Sequence, residues 1–140
     1  MDHFKAITIT KISEGIIDVP SLPAKAELDQ GVYIMLFDGT PIKVGCFGEG
    51  VRSNSKSRFA TYRTVGNNLY EYLDGSRTQN GSVKTIKIIN DKLLPGESID
   101  VYFKALPGSK VLEDGYTYKV DLYIEENILK NKYKNSLWLT

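Results

Sequence analysis

The sequence has a single cysteine, Cys46, and a single histidine, His3. One cysteine excludes an internal disulfide framework and any zinc site built from several thiolates. A histidine at the very start of a chain is a poor candidate for a general base. Long apolar runs are missing: none approaches the roughly 20 residues that cross a bilayer. The opening MDHFKAITIT lacks the apolar stretch and small-residue cleavage site of a secretory signal, so the expected location is cytoplasmic. An excess of one charge is missing as well, since 18 Lys and Arg against 17 Asp and Glu leave a net charge of +1. The totals alone therefore do not announce a polyanion binder. There is no internal repeat, low-complexity tract or linker. What remains is 140 residues, 41% hydrophobic and 25% charged, the size and balance of one folded domain around one core.

The charges are unevenly spread. Between Lys43 and Lys87 there are eight basic residues and only three acids, Glu49, Glu71 and Asp74, so one basic side on a near-neutral molecule is expected. Residues 1–30 read as an N-terminal extension with a β-prone stretch at Ile7–Ile12 and prolines at 20 and 23. Residues 31–140 read as the functional domain. GVYIMLF and PIKVGCF flank Asp38-Gly39, the strongest short-range hairpin signal in the chain. Lys56–Val65 suits a short helix. Residues 66–81 are polar and take no clear assignment. Apolar residues at 83, 86, 89 and 93 predict a second helix with Ser82 as its cap, stopped by Pro95-Gly96. SIDVYFKAL alternates as a strand, and Lys119–Lys134 predicts the last helix. The expected class is α+β: a small antiparallel sheet of about three strands flanked by helices.

Chemistry-bearing residues are few. No D-x-D or D-x-x-E pair stands near basic residues, which removes a two-metal carboxylate site from consideration. Cys46 lacks a histidine partner and reads as a packed strand residue. GCFGEG lacks the Gly-Lys-Ser/Thr of a phosphate loop. A single carboxylate with one metal, assisted by phenols and cations, remains open.

Gly31-Val32-Tyr33 followed by Lys43-Val44-Gly45 resembles the paired strand motifs of the GIY-YIG nucleases, with Lys43 standing for the second tyrosine, as in some small restriction endonucleases of that superfamily. The resemblance continues with Arg58 and, four residues on, Tyr62 in SRFATYR. It ends with Glu125 ahead of Ile128, Leu129 and Tyr133 in EENILKNKY, where Glu126 fits better when counted back from Tyr133. The set runs from Gly31 to Tyr133 in the family's order. It implies a metal-dependent endonuclease cutting double-stranded DNA, restriction-like or of phage or mobile-element type. The implied catalytic residues are Tyr33, Lys43, Arg58, Tyr62 and Glu125, with Glu125 holding Mg²⁺ or Mn²⁺.

Physical roles follow from residue type. Lys43 beside Tyr33 would favour a phenolate able to take a proton from water. Arg58 and Tyr62, four apart, share a helix face, and a guanidinium forks onto phosphate oxygens. Arg52, Lys56, Arg63, Arg77 and Asn80 are candidate DNA contacts. A palindromic target would imply a homodimer. Two other readings stand beside the nuclease: a non-catalytic nucleic-acid-binding module on the same fold, and a small accessory or inhibitor protein.

Overall fold

In a computed structural model of the chain, the described residues are 3–48, 54–75, 80–106 and 115–139, with side chains of the last helix described from Leu122 onward. Among them, five strands form one antiparallel sheet and three α-helices pack on it. The strands are β1 (Phe4–Ser13), β2 (Ile16–Asp18), β3 (Gly31–Phe37), β4 (Thr40–Phe47) and β5 (Ser98–Ala105). The helices are α1 (Ser55–Asn67), α2 (Gly81–Lys92) and α3 (Gly115–Tyr133). The spatial order is β2-β1-β5-β3-β4. No helix among the described residues is long and apolar enough to cross a membrane.

The expected α+β class with an antiparallel sheet holds; the described residues form five strands, not about three. The two additional strands come from residues 4–18, read from sequence as an extension. β1 pairs with β5 along Phe4–Thr10, and β2 returns on its outer side. The short β2 and the Pro-punctuated segment behind it hid this from a reading based on alternation alone.

Each segment forms for a local reason. Asp38 and Gly39 both have positive φ, 52° and 77°, as a two-residue hairpin turn with the twist of its strands requires. That turn sets the β3–β4 register: Tyr33 faces Gly45, Ile34 faces Val44 and Met35 faces Lys43. β3 reads as continuously apolar because both its faces are covered. Tyr33 and Met35 join a large core with Phe59 and Val65 of α1 and Val83, Ile86 and Ile89 of α2. Val32 and Ile34 join a smaller core with Val44, Cys46 and, from α3, Leu122 and Leu129.

The Asn54 side chain caps α1 by accepting from Ser57 N at 2.8 Å. Ser55 ties the same end to the segment before β3: its hydroxyl accepts from Leu28 N and donates to Ala26 O, both at 2.7 Å. The cap of α2 is Asn80, accepting from Val83 N at 3.0 Å, rather than the expected Ser82. The helix starts two residues earlier than the apolar spacing indicates, and Ser82 is buried inside its first turn.

Candidate active site

Four of the five residues singled out in the sequence come together at the β4 edge of the sheet, and the fifth does not. Tyr33 enters from β3 and Tyr62 from α1, both fully buried, with their hydroxyls 3.1 Å apart. Arg58 lies one helical turn before Tyr62. Its guanidinium sits over the Tyr62 ring at 4.8 Å and donates from Nη2 to the Tyr33 hydroxyl at 3.4 Å. Its Nε is buried with no hydrogen-bond partner among the described residues. Phe59 packs edge-on against both tyrosine rings, fixing the phenols relative to the helix.

Gly45 explains the glycine of the second strand motif. A Cβ there would fall on the Tyr33 ring, so the phenol lies across the cross-strand position opposite it, a placement that only glycine permits. Lys43, two residues back, shares that side of the ladder and is 8% exposed. Burial, then the charges of Arg58 and Lys130, lower its ammonium pKa from 10.5 to about 8; only Glu126 opposes them.

The carboxylate at this edge is Glu126. It ion-pairs with Lys130 one turn on, at 3.3 Å, and it acts on both Lys43 and Cys46. The Cys46 thiol is pushed up to about 12 by burial, by the Glu126 charge and by a hydrogen bond to Glu126. It thus stays protonated beside the carboxylate, in keeping with its reading as a packed residue and not a nucleophile. Glu125, the residue put forward from sequence, turns to β5 and pairs with Lys104 at 2.9 Å. Adjacent residues on a helix lie about 100° apart around its axis, so choosing one excludes the other. Counting back from Tyr133 was the signal that favoured Glu126.

The expected phenolate is also corrected. Burial first, then the neighbouring Tyr62, raise the Tyr33 pKa well above its ordinary value; Arg58 only partly offsets them and Lys43 takes no part. Tyr33 therefore keeps its proton in the free protein and is not a base. Burial works against the Arg58 charge, but Tyr33, Tyr62 and Cys46 outweigh it, and the guanidinium pKa rises.

The expected DNA contacts fare unevenly. Arg52 and Arg77 lie outside the described residues. Lys56 is exposed on α1. Arg63 is committed to the fold, donating to Val19 O at 3.1 Å and Pro20 O at 3.4 Å. Asn80 is the α2 cap. Sequence reasoning missed Lys130, although its position four residues after Glu126 is the favoured order for a helical ion pair.

Among the described residues no group of three or more His, Cys, Asp or Glu forms a metal cage. Mg²⁺ does not require one: it is commonly held by one or two carboxylates together with waters and substrate phosphates. One carboxylate beside a protonated thiol and several cations fits an ion that arrives with a phosphate.

No protein-family model and no curated protein sequence matches the chain. Among solved structures, a glutamate-to-alanine mutant of EndoII from bacteriophage T4 superposes with a TM-score of 0.60 and 14% identity, over 97% of this chain and 90% of that one. EndoII is a GIY-YIG-type nuclease. The α+β fold is thus similar to that of a GIY-YIG nuclease.

Proposed function

We propose that the chain is a metal-dependent endonuclease that hydrolyses phosphodiester bonds in double-stranded DNA, of the restriction or phage and mobile-element kind. The observation that carries this reading is the meeting of phenols, cations and one carboxylate from the β3–β4 hairpin, α1 and α3 at one sheet edge. Arg58 supports it most directly. Its buried, unpartnered Nε is a costly feature in a folded protein, and an anion bound there removes the cost.

In this reading Arg58 and Lys43 hold the non-bridging oxygens of the scissile phosphate, using charge where charge develops in the transition state. Tyr33 and Tyr62 are fixed donors that orient the phosphate and the attacking water. Glu126, positioned by Cys46 and Lys130, would hold one Mg²⁺, which supplies neutralising charge to the phosphate and the leaving oxygen. A dimer on a palindromic site belongs to the same proposal.

The test is cleavage of supercoiled plasmid with Mg²⁺ by wild type, Glu126→Gln, Glu125→Gln and Arg58→Ala. A metal ligand supplies several kcal/mol, so Glu126→Gln and Arg58→Ala should each lose at least ~10²-fold in rate, while Glu125→Gln keeps most of it. Loss in Glu125→Gln with activity kept in Glu126→Gln would overturn the assignment. Equal cleavage by all four proteins would trace the activity to a contaminant. Wild type that binds duplex without cutting would make the chain a non-catalytic binding module.

A further inference from the structure

Next to the candidate active site, a groove of about 300 Å³ runs between β4 and the end of α3. It is lined by three lysines, Lys43, Lys130 and Lys134, and by the apolar side chains of Val44, Leu137 and Leu139. The segment after α3 builds one wall. Trp138 N and Leu139 N both donate to Ile42 O, at 3.2 and 3.0 Å, and the Ser136 hydroxyl donates to Pro41 O at 2.6 Å. The groove is therefore held by backbone bonds along the sheet edge, not left between loose side chains.

We propose that this groove is a nucleotide subsite, seating the sugar-phosphate unit next to the cleaved bond. The phosphate would lie among the three ammonium groups and the sugar against the apolar side chains. The proposal rests on the nuclease reading, which it extends from a single phosphate to a strand path.

Three observations carry it. Lys43 belongs to both the groove and the candidate active site, so the two are continuous, as neighbouring phosphates of one strand require. Lys130 stands in the last turns of α3 and Lys134 in the turn just after it, so with Lys43 the positive charge lining the groove is spread over three side chains, as a backbone and not a point charge requires. The charge is unbalanced: with Arg58, four cations gather where Glu126 is the carboxylate acting on Lys43 and pairing with Lys130. Phosphate is the anion this complements, because ammonium groups bind it as point charges. The apolar part of the lining, Val44, Leu137 and Leu139, suits a sugar better than a free inorganic ion.

The experiment is fluorescence anisotropy of a labelled DNA duplex in chelator across a salt series, with wild type, Lys134→Gln and, as control, Lys5→Gln, beside cleavage of the same duplex by wild type in Mg²⁺. Lys5 is an exposed residue on β1, paired with Asp100, far across the sheet from β4. Losing one phosphate contact lowers the slope of log K against log salt by about 0.9, which at 0.1 M salt is about eightfold in affinity. Lys134→Gln should show both changes and Lys5→Gln neither. If wild type binds and cuts duplex while Lys134→Gln keeps the wild-type slope, the groove is overturned and the nuclease reading stands. If wild type binds without cutting and Lys134→Gln still loses the slope, the groove stands as a nucleic-acid seat and the nuclease reading falls. Equal losses in both variants would make the effect one of overall charge and overturn the groove.

Discussion

Lys43→Met asks directly whether a buried charge facing two other cations costs this fold stability. Lys43 is 8% exposed, and its pKa in the fold is about 8, against an ordinary 10.5, because of burial and the charges of Arg58 and Lys130. That difference corresponds to about 3 kcal/mol. The sign follows from proton counts. Between pH 8 and 10.5 the unfolded chain binds more protons at this residue than the folded one, so stability rises with pH across that window. Below pH 8 both states are protonated and the fold bears the full cost of the charge.

Methionine has a similar shape and no charge, so the metal-free variant should be more stable than wild type by about 1–3 kcal/mol at pH 7, in line with apolar replacement of other buried charges. With a urea slope of about 1–3 kcal/mol per molar, the midpoint moves up by roughly 1 M. The assay is urea unfolding of both proteins in chelator at pH 7 and pH 9.5. The gap between the midpoints, not either midpoint alone, is the measurement, because all other titrating groups are shared. It should be wide at pH 7 and narrower at pH 9.5. A variant less stable than wild type at pH 7, or a gap independent of pH, would refute the reasoning. The same variant should lose cleavage, since a charge kept at a cost in stability has its use elsewhere.

Two further outcomes follow from the packing. Gly45→Ala puts a methyl group onto the Tyr33 ring and should destabilise by about 1–3 kcal/mol. It should also displace the phenol from Tyr62, which unfolding curves together with plasmid cleavage would reveal; a variant of wild-type stability and activity would contradict the close approach. Asn80→Ala removes the α2 cap and should cost about 1 kcal/mol. Its duplex affinity should stay at the wild-type value, because the side chain is engaged by Val83 N; reduced affinity at unchanged stability would restore Asn80 as a DNA contact.

The parts of the fold legible in the sequence are those fixed by local chemistry. Asp38-Gly39 dictates its turn, the turn dictates the register, and the register sets Tyr33 opposite Gly45. Arg58 and Tyr62 share a helix face through their spacing alone. The parts not legible depend on partners distant in sequence. β1 finds its place only through β5, some 90 residues later. The choice between Glu125 and Glu126 depends on Lys104 waiting on β5 for one and Cys46 on β4 for the other. The Tyr33 proton depends on complete burial beneath α1, which no nearby lysine in the sequence reveals.

The position of the site at the sheet edge follows from the same geometry. Successive residues of a strand point to opposite faces, so Lys43, opposite Met35, and Cys46, opposite Val32, start on different sides of the sheet. Both nevertheless feel Arg58 from α1 and Glu126 from α3, although those helices cover opposite faces. At a central strand, neighbouring backbone would separate the two sides. At β4, outermost in the order, side chains reach around the strand and meet. Among the described residues, the segment after α3 bonds to Pro41 and Ile42 of that strand, which satisfies part of an exposed edge and leaves the stretch beside Lys43 and Cys46 as the place where α1 cations and an α3 carboxylate can act on one substrate.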